Sequence, residues 1–168
     1  MKRIFIIVLF LILPIKAFAL IEVDITRGNL NPLPIAVSPL SIDENSRQNF
    51  EKILKKKNIG SEISAVVEKN LKTSGLFNPL NKDAFLQEPD IANLKPRFED
   101  WNLIKAQALI TGKVNFVDEK LRVEFRLWDV LAGKEMMALA FTTVPNNWRR
   151  VGHIITDKVY ERLTGEKG

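Results

Sequence analysis

Chemistry in this chain would have to come from very few groups. It holds one histidine, His153, and no cysteine, which removes histidine-rich zinc sites, thiolate nucleophiles and Cys–His pairs from consideration. On a helical wheel His153 falls nearly opposite Trp148 and Val159 and close to Tyr160, so the imidazole turns away from the apolar stripe toward solvent or an interface. No serine elbow or second acid stands at a spacing that would make it a general base. Gly112-Lys113 and Gly133-Lys134 lack the rest of any phosphate-cradling motif and read as strand and turn glycines. Glu22 with Asp24, and Asp43 with Glu44, are acid pairs a cation could use, but neither sits in a glycine-anchored oxygen loop, so solvated faces explain them. The densest positive cluster, Lys55-Lys56-Lys57, has no aromatic neighbour in sequence on which a base could stack; it reads as a helix end or loop. These residues point to no catalytic group, no metal, no cofactor and no nucleic acid.

The elements that position them centre on residues 106–163. Leu121, Val123, Phe125 and Leu127 alternate with Arg122, Glu124 and Arg126, the period-two pattern of a strand with one wet face. Ala108, Ile110, Val114 and Phe116 keep the same alternation upstream, with Asp118-Glu119-Lys120 as a break of hairpin length. Leu131-Ala132-Gly133-Lys134 supplies a second turn, and Met137, Leu139, Phe141 and Thr143 continue as a third strand, giving an antiparallel meander. After Pro145, Asn146 or Asn147 is placed to cap a helix whose Trp148, Val151, Ile155, Val159 and Leu163 form one stripe, stopped by Gly165.

Earlier in the chain, Ile35-Ala36-Val37 is a short apolar strand, and Ile59, Ile63, Val66, Val67 and Leu71 mark a second amphipathic helix ended at Ser74-Gly75. Residues 41–58 are polar, with Phe50, Ile53 and Leu54 at helical spacing, and read as a loop with a short helix; residues 81–95 read as loop. Pro96 suits the first turn of a helix in which Phe98 and Trp101 share a face and close one end of the sheet. The expected fold is α/β: a mixed sheet of about five strands with an antiparallel meander, packed by two main amphipathic helices.

The first residues stand apart from this domain. Lys2-Arg3, an apolar run over residues 4–13 and Ala17-Phe18-Ala19 form the three parts of a secretory signal peptide, with cleavage after Ala19. A membrane span needs about 20 apolar residues, and Pro14 and Lys16 interrupt the run, so no stable membrane insertion is expected after cleavage. The lack of cysteine excludes a lipid attachment site and disulfides, leaving a soluble periplasmic destination. Losing Lys2, Arg3 and Lys16 leaves 22 basic residues against 20 acidic ones, so the net charge of +5 falls to +2. Most of the basic excess belongs to targeting. Residues 20–25 then alternate Ile21, Val23 and Ile25 with Glu22 and Asp24 before Thr26-Arg27-Gly28-Asn29 breaks the pattern. Such a segment either docks on the domain's own sheet or offers its backbone to a partner by strand addition.

Pro34-Ile35-Ala36-Val37, residues 71–79 (Leu-Lys-Thr-Ser-Gly-Leu-Phe-Asn-Pro), Trp101 with residues 106–112 (Ala-Gln-Ala-Leu-Ile-Thr-Gly), and Trp148-Arg149-Arg150-Val151-Gly152-His153 through the closing Leu163-Thr164-Gly165-Glu166-Lys167-Gly168 occur in one order behind the signal peptide. In these segments the chain resembles the TolB amino-terminal domain family of the Tol-Pal system. The resemblance implies an anticodon-binding-like α/β fold without enzyme activity. It also implies that the carboxy-terminal domain of TolA binds the segment just after cleavage, here Ile21, Glu22, Val23, Asp24, Ile25, Thr26, Arg27 and Gly28 within residues 21–31. The organisation that follows is a signal peptide at 1–19, a partner-binding segment at 20–33 and the α/β domain at 34–168. Family members continue into a β-propeller that binds the lipoprotein Pal. This sequence ends at Gly168, which puts Pal binding in doubt. A free-standing periplasmic peptide- or small-molecule-binding module and a folded but idle remnant are the competing readings.

Overall fold

The computed structural model describes residues 31–167. Residues 1–30, which take in the expected signal peptide, and Gly168 lie outside that range. In chain order the elements are β1 (Leu33–Val37), β2 (Ser41–Ile42), α1 (Glu44–Leu54), α2 (Ile59–Thr73), β3 (Phe77–Pro79), α3 (Pro89–Leu94), α4 (Phe98–Leu103), β4 (Ala108–Val117), β5 (Lys120–Asp129), β6 (Lys134–Thr143) and α5 (Trp148–Thr164). The sheet runs β3-β1-β4-β5-β6, with β2 paired to β4 off that path. β1 is parallel to both neighbours, whereas β4, β5 and β6 are antiparallel. The mixed sheet, its meander and the two large helices follow the sequence expectation; β2 is the additional strand.

The meander is closed by two tight turns. Val117 pairs with Lys120, so Asp118 and Glu119 are the whole first loop. Both have positive φ, 49° and 59°, the mirror-image turn that matches strand twist, here made without glycine. In β6 the pairing steps from Leu127↔Met137 to Trp128↔Glu135, leaving Met136 as an extra residue in a bulge. Met136 and Met137 both lean on the core as a result.

The main core lies on one face of the sheet. Ile35, Ile110, Val123, Phe125 and Leu127 meet Ile59, Ile63, Val67 and Leu71 of α2 and Val151, Ile155, Val159 and Leu163 of α5, all buried. Burying each such side chain is worth about 1.5–3 kcal/mol. The stripe expected on α5, Trp148 included, is the buried one. α2 and α5 run side by side, touching at Gly152, where an added Cβ would stand 2.8 Å from Val66 Cγ1.

Four local readings change. Residues 41–58 hold a three-turn helix, α1, with Asp43 as its cap. Residues 81–95 hold a 3₁₀ turn at Lys82–Ala84 and then α3, with Pro89 in its first turn. Asn147 occupies the cap position of α5 after a 3₁₀ turn, Pro145–Asn147, but makes no side-chain cap bond; its amide donates to Thr143 Oγ1 at 3.1 Å. Pro96 precedes the α4 cap residue Arg97 and so stands outside the helix. α4 also covers the second face of the sheet rather than one end: Trp101 is buried with Ala36, Ala92, Leu109 and Val130 in a small separate cluster.

Candidate partner-binding surface

The segment singled out by sequence, Ile21 to Gly28 and on to Asn31, lies outside the described residues up to Asn31. The structure does define where it joins the domain. Pro32 leads into β1, whose Leu33 N–H donates to Leu76 O at 2.9 Å, and Gln107 N–H reaches Pro34 O at 2.9 Å from the other side. β1 is held between β3 and β4 on both edges. At that end Phe77, paired with Leu33, meets the Tyr160 ring at 6.1 Å in an edge-on contact. Tyr160 O in turn accepts from Thr164 Oγ1 at 2.8 Å in the last turn of α5. The entry to the domain and the end of its final helix therefore share one end of the molecule.

The residues weighed for chemistry are dispersed. His153 is exposed on α5 and its Nδ1 lies 2.8 Å from Asn70 Nδ2 of α2, a surface contact between the two helices. Asp43 is a helix cap. The Ser46 N–H and hydroxyl donate to its two carboxylate oxygens at 2.8 and 2.7 Å, and those bonds hold the Asp43 carboxyl below its usual range. The same Ser46 hydroxyl accepts from Phe116 N–H at 2.8 Å, tying α1 to β4. Burial works to raise the Glu124 carboxyl, but the Arg122 hydrogen bond and the charges of Arg122 and Lys113 outweigh it and keep it low. Glu161 is likewise lowered, by Lys158 at 2.8 Å. Asp43 does line a hollow of about 320 Å³ with Asp90, Ser41 and Lys113, but both its carboxylate oxygens are engaged by Ser46. Among the described residues no group of three or more His, Cys, Asp or Glu could hold a metal ion, and no helix is long and apolar enough to cross a membrane.

Lys56, from the basic cluster, departs from the expectation that no aromatic lies beside it. Its Nζ sits 5.0 Å from the Trp148 ring centre while pairing with Glu62 at 3.0 Å. Arg149 lies over the same ring at 4.6 Å, and Trp148 is only 7% exposed. The ring is thus occupied by the chain's own cations and offers no platform for a base.

Sequence reasoning missed Gln87. It is buried, and its Oε1 accepts from Trp101 Nε1 at 2.6 Å and Arg97 N–H at 2.9 Å, fixing the second face. The signal was present in kind, because a buried indole N–H requires an acceptor, but which acceptor follows only from the loop path.

A mixed sheet with parallel strands on one side, a three-stranded meander on the other and two long helices on one face defines a small α/β domain. A family model described as the TolB amino-terminal domain matches residues 21–136. The chain belongs to the TolB amino-terminal domain family. It is 86% identical over 161 residues to the Tol-Pal system protein TolB of Pelagibacter ubique (strain HTCC1062), an alignment covering 96% of this chain and 36% of that protein. Its fold is similar to that of TolB from Acinetobacter baumannii in a crystal structure, with a TM-score of 0.64 and 19% identity over 89% of this chain and 32% of the other. The chain spans about a third of the length of these relatives.

Proposed function

We propose that this domain is a non-enzymatic periplasmic adaptor of the Tol-Pal system. It binds the carboxy-terminal domain of TolA through Ile21, Glu22, Val23, Asp24, Ile25, Thr26, Arg27 and Gly28, within residues 21–31, and so supports outer-membrane integrity and invagination during division. The observation that carries the reading is the family match, which begins at Ile21 and takes in the whole segment. The placement of β1 supports it physically. Both edges of β1 are filled by β3 and β4, so a partner that pairs with this region by strand addition would have to use residues ahead of Leu33. Ordering a short segment costs conformational entropy on binding, which suits a reversible link. Contact with Pal, which the resemblance assigns to a propeller beyond this domain, forms no part of the proposal.

Calorimetric titration of the chain beginning at Leu20 with the carboxy-terminal domain of TolA tests the reading. Saturable binding that disappears when residues 21–31 are deleted, with the circular dichroism of the domain unchanged, is the expected result. Undiminished binding by the deleted chain refutes it.

A further inference from the structure

We propose that the open half of β6, from Ala138 to Thr143, is a separate docking site for an extended segment of another protein in which apolar residues alternate with acidic ones. The sheet has two outer strands, β3 of three residues and β6 of ten. Among the described residues β6 is paired with β5 alone. Its beginning is blunted: Met136 forms the bulge, and its carbonyl accepts from Arg162 Nε at 3.3 Å. From Met136 to Thr143 no residue is charged and none is proline. Edge strands are normally guarded by charge, proline or a bulge, and this stretch past the bulge has none of the three.

Both sides of this edge are concave. On the helix side, Phe141, Thr143, Asn147, Arg150, Val151 and Ile154 line a cleft of about 320 Å³ between β6 and α5. On the opposite face, Arg122, Glu124, Arg126, Ala138 and Ala140 line a hollow of about 210 Å³. A strand added about 4.8 Å from β6 sends successive side chains to alternate faces, one set into each hollow. Apolar side chains then meet Phe141, Val151 and Ile154.

The charges select the partner. Arg150 is exposed at the mouth of the cleft and makes no ion pair among the described residues. Arg122 and Arg126 on the other face pair with Glu124 and Glu135 at 3.0 and 3.3 Å. That face carries Arg122, Arg126 and Lys113 against Glu124 and Glu135, and attracts the acidic set of side chains. Antiparallel pairing with a second copy would bring two such arginine sets together, which disfavours a homodimer through β6. The residues that line the site fall within 122–154, so a variant there tests it separately from the TolA reading.

The test is an amide NMR titration of the chain from Leu20 at low salt with two synthetic seven-residue peptides, one alternating valine with glutamate and one alternating valine with lysine. Expected are shifts confined to β6 and the first turns of α5, at least tenfold tighter binding of the glutamate peptide, and inversion of that preference when Arg122→Glu and Arg126→Glu are combined. Shifts elsewhere, no shifts, equal binding of the two peptides or an unchanged preference in the Arg122→Glu, Arg126→Glu double variant overturns the proposal. So does sedimentation showing the edge already closed by a second copy.

Discussion

Substituting Gly60 by alanine is the most exacting test of how the sheet and α2 are joined. Gly60 is the second residue of α2, and a Cβ there would stand 2.1 Å from Leu40 O and 3.0 Å from its carbonyl carbon. Carbon normally approaches other heavy atoms at about 3.5–4.0 Å, and the obstacle is backbone, so one chain must retreat by more than an ångström. That retreat pulls on a buried knot in which Ser64 Oγ accepts from Leu40 N–H at 3.0 Å and lies 3.0 Å from Ser38 O and 3.1 Å from Gly60 O. Overpacking costs about 1–3 kcal/mol, and an unpaired buried N–H adds about 1–3 kcal/mol. The better helix propensity of alanine returns about 1 kcal/mol. The expected net loss is therefore roughly 1–5 kcal/mol, read as a lower urea midpoint with an unchanged slope. A variant as stable as the parent, or more stable by the alanine increment alone, would show that α2 does not ride against Leu40 and would refute the reasoning.

The second face and the surface groups give further expectations. Gln87→Ala strands the Trp101 and Arg97 N–H groups and should cost about 2–4 kcal/mol in urea unfolding, with a smaller additional loss when Trp101→Phe is already present. Asp43→Ala should cost about 0.5–1 kcal/mol at pH 7, as an exposed helix cap does. Because folding lowers the Asp43 carboxyl below its ordinary value of 3.8, its contribution is complete above that value and fades as pH falls through the folded one. Parent and variant midpoints should converge in acid-series melts; a gap that widens with acid contradicts the cap. His153→Ala removes one exposed contact with Asn70 and should change stability by less than about 0.5 kcal/mol; a larger loss would give the imidazole a structural weight it lacks here.

What was legible in the sequence depended on whether one face of an element stays wet. β5 alternates buried and half-buried residues along its whole length, and α5 carries a single stripe, so period alone located both. β4 is harder because residues 108–112 are covered on both faces and 113–117 mainly on one. Leu109, between Ala108 and Ile110, is the mark of the second layer, but a run of adjacent apolar residues does not say what covers them. α1 was underestimated because Phe50 is its one large buried side chain, too little for a helical stripe. Its strongest signal, Asp43 three residues before Ser46, resembled an acid pair instead of a cap. The bond from Gln87 to Trp101 crosses a loop whose path no local pattern encodes. Lys56 over Trp148 joins residues about ninety apart and could not be found from neighbours in sequence. For the partner-binding segment, the alternation of Ile21, Val23 and Ile25 with two acids is all that the residues themselves supply.

The position of β1 also sets an order of assembly. Ile35 pairs with Ala108, more than seventy residues later, and with Pro79 on its other edge. A chain made amino end first must therefore carry this apolar strand with one rim vacant until β3 is made and the other vacant until the whole α1–α4 stretch has been laid down. The hairpin from β4 to β6 needs only its own neighbours and closes quickly, whereas the insertion of β1 waits on a long loop. During that wait the strand needs shelter, and a chaperone groove that accepts extended apolar peptides would find its natural client at Leu33–Val37.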